Sequence, residues 1–260
     1  MRSGNPTLKE STFLDLASGS VVSRDGEAMT LNGTVSKTGF LLLLTVRTAA
    51  FAWSQVEFGV DGRPQPGFGM YLWGGAIGGF IIAMVTVFKK EWAPVTAPLY
   101  ALVEGFFLGA ISAMYNFMYE GIVLQAVVAT FAVFAVSLGL FASGKVRVTG
   151  KFTRFLLIGM LGYLAFSLVN VVLMLTGVST DPWGLRTGVE IFGIPLGLLV
   201  GVVAVFLAAM SLIMDFDSIK RGVEAGVPGR YAWAAAFGLA VTLIWLYLEL
   251  LRLLAILRSE

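Results

Sequence analysis

The sequence predicts an all-α polytopic membrane protein with seven transmembrane helices. Of its 260 residues, 57% are hydrophobic and only 13% are charged, whereas a soluble domain carries about 25% charged residues. Such a chain cannot cover its own surface with polar side chains, so lipid must be its solvent. The sequence also contains seven separate apolar runs, and each reaches the length of about 17–25 residues that crosses the hydrocarbon core of a bilayer.

The chain begins with a polar segment, residues 1–37. It contains no apolar core of signal-peptide length, and we interpret it as a mobile cytoplasmic tail. The transmembrane domain is predicted over 38–260, with spans near 38–56, 67–88, 95–114, 121–142, 155–177, 188–214 and 231–257. The last two spans exceed the required length, which allows tilt or an interfacial turn at one end.

Glycines at four-residue spacing predict where the helices pack closely. Small residues on one helix face let two backbones approach each other inside a membrane. The stripes are Gly74/Gly78 and Gly75/Gly79 in the second span, Gly105/Gly109 in the third, and Gly193/Gly197/Gly201 in the sixth.

The basic residues predict the orientation in the membrane. Thirteen of the eighteen Lys and Arg residues fall in the tail or in loops on one side of the predicted bundle, four fall on the other side, and one lies inside a span. Because cytoplasmic loops carry the excess of positive charge, we expect a cytoplasmic N-terminus and an outside C-terminus. The net charge of +2 is too small to indicate a nucleic-acid partner.

The sequence contains neither cysteine nor histidine. This excludes thiolate chemistry, disulfides, Ser-His-Asp or Cys-His catalysis and histidine zinc sites. No cofactor and no enzyme site is predicted. Histidine is the usual switch near neutral pH. Because the chain has none, any response to pH must use Asp or Glu.

Ionisable side chains inside the spans are few, and two of them lie at similar depth. Arg47 in the first span and Glu104 in the third are each about 15 Å from the cytoplasmic side, at 1.5 Å per residue. They either form an ion pair that holds the two spans together or contribute to an ion path. The residues alone leave both alternatives open.

Asp215 is the strongest candidate for a functional carboxylate. It is predicted to end the sixth span, two positions before Asp217. Two acids at a helix C-terminus oppose the helix dipole, which favours cations there. We therefore expect Asp215 to attract a positive partner, either a bound cation or a basic side chain, and to sense pH.

Two segments carry a resemblance to a known family. Residues 214–220 (MDFDSIK) and 235–257 (AAFGLAVTLIWLYLELLRLLAIL) resemble the Bax inhibitor family of small polytopic membrane proteins. Asp215 and Ile219 match the Asp-x-x-x-Ile ending of that family's sixth helix. Residues 88–109 are similar to the joint between the second and third helices of its bacterial branch.

The resemblance implies a seven-helix bundle with the seventh helix central. It also implies a calcium leak gated by protonation of a carboxylate pair, one Asp ending helix six and the other in helix seven. The second position has two alternatives here. Glu249 matches the LYLDF motif but lies 34 positions after Asp215, whereas Thr242 lies 27 positions after it and fits the helix ending without gaps.

Thr242 and Glu249 are seven residues apart and so share nearly one face of a helix. If that face points into the bundle, Glu249 needs a partner or a proton, and Arg252 at i+3 is the nearest cation. Lys89 and Lys90, at the cytoplasmic end of the second span, are candidate basic partners that close the path.

These features together predict a pH-sensitive calcium or cation leak in the bacterial cytoplasmic membrane. The expected partners are the lipid bilayer and the transported cation. The alternative, also implied by the resemblance, is a regulator that moves no ion and binds a membrane protease or another stress-response partner. An intramembrane hydrolase is disfavoured, because Asp215 and Glu249 are not at one depth.

Overall fold

Seven long helices make up most of the protein. The computed structural model describes residues 28–178 and 184–259. The helices are α1 (Leu31–Gln55), α2 (Gly75–Phe88), α3 (Ala93–Met118), α4 (Ile122–Ala142), α5 (Gly150–Leu175), α6 (Leu196–Glu224) and α7 (Ala232–Ser259). A π-helical turn, Met70–Gly74, leads into α2, and the 3₁₀ turns Lys90–Trp92 and Gly229–Tyr231 precede α3 and α7.

Each long helix, counted with its adjoining turn, is long and apolar enough to cross a membrane. The mean hydropathy of the most apolar stretch runs from 1.3 in α1 to 2.7 in α6. Large apolar side chains remain exposed on these helices, for example Leu124 at 69% and Ile158 at 68%. An apolar surface of this extent is costly in water and is the surface that lipid covers. The prediction of an all-α, multi-pass membrane protein is confirmed.

Short polar side chains set where two of the helices begin. The Thr30 hydroxyl accepts a hydrogen bond of 3.0 Å from the Gly33 amide, and the Thr149 hydroxyl accepts one of 3.3 Å from Phe152. These N-caps satisfy amides that lack a partner within the helix. Consequently α1 begins at Leu31, inside the segment that was predicted to be a polar tail up to residue 37. The rest of that tail, residues 1–27, lies outside the described residues.

The chain divides into two compact units. The first contains α1, α2 and α3 together with residues 215–241, which are the end of α6 and the start of α7. Within it, glycines let the helix backbones approach closely. A Cβ on Gly78 would lie 3.0 Å from the Val103 side chain of α3, and one on Gly109 would overlap the backbone of Ala49 in α1. Two of the predicted glycine stripes therefore face neighbouring helices.

The second unit contains α4, α5, residues 184–214 and residues 242–259. Here a Cβ on Gly197 would lie 2.7 Å from Ile256 of α7, and one on Gly201 would lie 2.6 Å from Leu253. Gly197 and Gly201 therefore bring α6 against α7. Gly193, the third glycine of that predicted stripe, lies before α6 and has no atom within 4 Å of where its Cβ would be, so its predicted packing role is wrong. A core of Leu156, Leu207, Met210 and Met214 fills the space between α5 and α6.

The segment before α6 differs from the predicted helix. One helical turn, Leu185–Gly188, is followed by a hairpin of two short strands, β1 (Glu190–Ile191) and β2 (Ile194–Pro195). The two turn residues, Phe192 and Gly193, have φ values of 55° and 76°, as a two-residue hairpin turn requires. The helix therefore begins at Leu196 rather than near residue 188.

The other end of α6 also differs. The prediction that Asp215 ends the sixth helix is wrong, since α6 continues to Glu224. Ion pairs one turn apart stabilise this polar extension: Arg221 lies 2.6 Å from Asp217, and Lys220 lies 3.9 Å from Glu224. The seventh helix is the most buried, with 61% of its most apolar stretch enclosed by protein. This burial agrees with the central position expected for α7.

Candidate functional site

Asp215 is completely enclosed by protein. Its exposed fraction is 0%, and it lies within α6, in the part of that helix that belongs to the first unit. Because nine further helical residues follow it, the helix dipole does not act on it as it would at a helix end. Burial in an apolar helix therefore replaces the dipole as the reason that its charge is costly.

A buried hydroxyl lies on the same helix face as Asp215. Ser218, at i+3, is 4% exposed, and its Oγ has no hydrogen-bond partner within the part of the chain that the structure describes. Buried hydroxyls in native proteins are normally satisfied, so Ser218 Oγ is an exception within the described residues. The carboxyl and this hydroxyl together form a polar spot in an otherwise apolar helix.

Asp217 is in a different environment. Its Oδ2 lies 2.6 Å from Nη2 of Arg221, with the two side chains 22% and 29% exposed. This i,i+4 ion pair holds Asp217 on the outer, partly solvated side of the α6 extension. Its negative charge is therefore already neutralised by a neighbour on its own helix.

Glu104 of α3 is the second buried acid of the first unit. It is 9% exposed, and its carboxyl packs against Gly79 of α2, where a Cβ would overlap Oε2. An ion pair with Arg47, one of the two alternatives left open by the sequence, is absent from the described residues: Arg47 is exposed on α1, and no hydrogen bond or ion pair reaches Glu104. The sequence predicts similar depths in the membrane for Arg47 and Glu104. However, Arg47 lies on the exposed face of α1 and Glu104 on the buried face of α3, so the structure does not bring them together.

The two predicted basic partners lie at the end of α2. Lys89 is exposed and Lys90, which begins the following 3₁₀ turn, is partly exposed. Within the described ranges, 28–178 and 184–259, no group of three or more Asp, Glu, His or Cys residues could hold a metal ion.

Glu249, in the second unit, has three partners. It is 2% exposed, and its Oε1 accepts hydrogen bonds from the Tyr163 hydroxyl and from Arg252 Nη1, the latter at 2.8 Å. Its other oxygen, Oε2, lies 3.9 Å from Nη1 of Arg186, whose side chain is 5% exposed. The carboxylate is therefore enclosed between two guanidinium groups and a phenol.

Arg186 was not predicted to belong to any site, because a basic residue between two spans is normally a solvated loop residue. Here its Nη2 donates a hydrogen bond of 3.2 Å to the Tyr163 hydroxyl. Its guanidinium carbon lies 5.7 Å from the centre of the Tyr163 ring and 5.5 Å from that of Phe166, within the range of a cation–π interaction. The Asn170 side chain fixes the segment by accepting a hydrogen bond of 2.7 Å from the Leu185 amide.

The buried cluster of Tyr163, Arg186, Glu249 and Arg252 is only partly satisfied. Arg186 Nη1 and Glu249 Oε2 face each other at 3.9 Å, and neither forms a hydrogen bond within the described residues. A buried charge is stable only when it is paired and hydrogen-bonded. Glu249 is therefore held mainly by Arg252 and Tyr163, and Arg186 adds an ion pair without a hydrogen bond.

Thr242 and Asp215 belong to different units. Thr242 is 6% exposed and belongs to the second unit, together with Glu249, whereas Asp215 and Asp217 belong to the first. A threonine cannot ionise, so the Thr242 position supplies a hydroxyl where a second carboxylate was expected. The only titratable group of the two alternatives is Glu249.

Comparison with known proteins identifies one family. A family model described as Bax inhibitor 1 like matches residues 5–259. No curated protein matches the chain.

Proposed function

The chain belongs to the Bax inhibitor 1 like family, and from this premise we propose that it is a pH-sensitive leak for calcium or another cation. Protonation of buried carboxyl groups would gate the leak. The proposal includes a bacterial cytoplasmic membrane, a cytoplasmic N-terminus and an outside C-terminus, which the excess of basic residues on one side supports. It also assigns no catalytic activity, since the chain lacks cysteine and histidine.

The observation that carries the proposal is the complete burial of Asp215 within α6. Burying a carboxylate away from water is costly unless it is paired or protonated, so a fully buried acid is a candidate for a functional residue. Glu104 is a second buried acid in the same unit, without an ion pair among the described residues. Buried acids of this kind mark ion and proton paths in membrane proteins.

The mechanism is electrostatic. An ionised Asp215 attracts a cation into the apolar region, and the Ser218 hydroxyl offers a neutral oxygen beside it. Conduction requires binding that is favourable enough for entry and weak enough for release. Protonation removes the attraction and closes the path, and a lysine at the end of α2 (Lys89 or Lys90) could compete with the cation.

The test is cation flux into liposomes that contain the purified full-length protein, measured with a calcium-sensitive dye across mildly acidic to neutral pH. The wild-type flux should fall as the medium becomes more acidic. Asp215→Asn keeps the shape but cannot ionise, so it should insert normally and show a low flux that no longer responds to pH. Asp217→Asn is the matched control, because Asp217 is partly exposed and paired with Arg221.

An unchanged pH response in Asp215→Asn would place the sensor elsewhere, with Glu104 and Glu249 next in order. Absence of flux from the wild-type protein at every pH would favour the alternative function, a regulator that binds a membrane protease or another stress-response partner without moving an ion.

A further inference from the structure

A pocket of about 340 Å³ opens where α1, α3 and α7 begin. Its walls come from the residues before α1, from the first turns of α1 and from the start of α7. An antiparallel bridge between Ala28 and Pro228 and a hydrogen bond of 2.7 Å from the Met29 amide to the Val227 carbonyl fix one wall. The volume is at the small end of the range, about 300–1,000 Å³, that is typical of ligand pockets.

Two cations line this pocket. The Lys37 ammonium group lies 5.6 Å from the centre of the Trp233 ring, and the Arg230 guanidinium lies 5.2 Å from that of Tyr231. Neither cation forms an ion pair within residues 28–178 and 184–259, and no described lining residue is acidic. The pocket therefore holds positive charge that the described residues do not neutralise.

The position of Lys37 shows that the pocket is built to receive this charge. Lys37 is on the second turn of α1, yet its ammonium group reaches back to lie 3.7 Å from where a Cβ of Gly33 would be. Long basic side chains inside a membrane helix extend towards the nearest polar region in this way. Because Gly33 has no side chain, the space between the Thr30 hydroxyl and the Lys37 ammonium group stays unfilled.

One wall of the pocket, Trp233, also contacts an exposed apolar side chain. Trp233 packs edge-on against Phe40, with ring centres 6.0 Å apart, and Phe40 is 45% exposed on α1. Tryptophan and basic residues together are typical of the depth of lipid headgroups. The pocket thus combines headgroup-level cations with an apolar surface that acyl chains can cover.

From these observations we propose that the pocket binds a phosphate group, either in the headgroup of an anionic lipid or in a free phosphate ester. The Lys37 and Arg230 side chains would hold the phosphate oxygens. The site is separate from the leak, because it shares no residue with Asp215 or Ser218 and would repel a cation.

The test uses the purified full-length protein in neutral detergent and native mass spectrometry to measure dissociation constants. The probes are dioctanoyl phosphatidylglycerol, glycerol 3-phosphate, inorganic phosphate and dioctanoylglycerol, which has no phosphate. Lys37→Gln and Arg230→Gln should each weaken binding of the phosphate probes about fivefold, as expected for one basic residue beside an anionic headgroup. Lys220→Gln is the matched control, since Lys220 is 61% exposed and also lies near the loop between α6 and α7.

The probes distinguish the two sources of phosphate. Much tighter binding of phosphatidylglycerol than of glycerol 3-phosphate identifies a lipid site, and equal binding of the phosphates with or without acyl chains identifies a free phosphate ester. Lys37→Arg keeps the charge and should keep the affinity. The proposal is overturned if the Lys37→Gln/Arg230→Gln double variant binds as tightly as Lys220→Gln, or if dioctanoylglycerol binds as well as the phospholipid.

Discussion

The buried cluster around Glu249 makes a quantitative prediction about stability. Glu249→Gln keeps the size of the side chain but removes the negative charge that lies between Arg186 and Arg252. Removing one partner of a buried ion pair costs about 3–5 kcal/mol, because the remaining charge is left uncompensated. We expect a loss near the lower value, about 3 kcal/mol, since Arg252 is 28% exposed and keeps contact with water.

The opposite change should cost less. Arg186→Met removes a hydrogen bond of 3.2 Å to Tyr163 and an ion pair of 3.9 Å, but Glu249 keeps Arg252 at 2.8 Å and the Tyr163 hydroxyl. One lost hydrogen bond to a charged group corresponds to about 1.5–3 kcal/mol. Methionine also fills part of the volume. The expected loss is therefore about 1.5 kcal/mol.

The double variant separates the energy of the Arg186–Glu249 ion pair from the packing lost in each single variant. Glu249→Gln/Arg186→Met leaves no uncompensated charge on Arg186, so its loss of stability should be smaller than the sum of the single losses by about 1 kcal/mol or more. The measurement is the free energy of unfolding by SDS titration in mixed micelles. Arg258→Met is the control: Arg258 is also on α7 but is exposed and bonds to Gln125, so it should change stability by less than about 0.5 kcal/mol.

Two outcomes would refute this reasoning. Additive losses in the double variant would show that Arg186 and Glu249 do not interact, whatever their separation. A loss in Arg186→Met as large as that in Glu249→Gln would show that Arg186, rather than Arg252 and Tyr163, is the principal partner of the carboxylate.

The remaining predictions concern packing, a surface ion pair and orientation. Gly109→Ala should lower stability by about 1–3 kcal/mol, because the added methyl overlaps the backbone carbonyl of Ala49, which cannot rotate away. Unfolding in micelles measures the loss, and Gly139→Ala, where the added methyl meets no atom within 4 Å, is the control. Arg221→Gln should cost less than about 1 kcal/mol, since its pair with Asp217 is partly solvated, and a larger loss would place Asp217 in the core. A reporter that is active only outside the cytoplasm should be active when fused after residue 260. Activity there of a reporter that works only in the cytoplasm would contradict the proposed orientation.

The sequence by itself determined the fold class and most of the helices. Hydrophobic composition decides that lipid is the solvent, and the length of each apolar run decides that it crosses the bilayer, so neither depends on distant contacts. The glycine spacing likewise predicted close packing at Gly109, Gly197 and Gly201, because a missing side chain is a local property.

The limits of α6 show where local reasoning failed. Hydropathy marks the end of the apolar run near residue 214, but a helix can continue into water when its side chains pair at i,i+4, as Asp217 with Arg221 and Lys220 with Glu224 do. Asp215 was therefore predicted at a helix end, but the structure places it at a buried position within α6. Its charge is costly because the side chain is buried, and not because of the helix dipole.

Only the tertiary structure decided which charged side chains lie close together. Arg186 looks like a loop residue in the sequence, but folding places it beside Tyr163, which is 23 positions away, and beside Glu249. Arg47 and Glu104 look like a pair because they share a depth, but the rotation of each helix turns Arg47 to the surface and Glu104 inward. Depth follows from residue count along one helix, whereas the direction of a side chain depends on how several helices pack, and that information is spread over segments far apart in the chain.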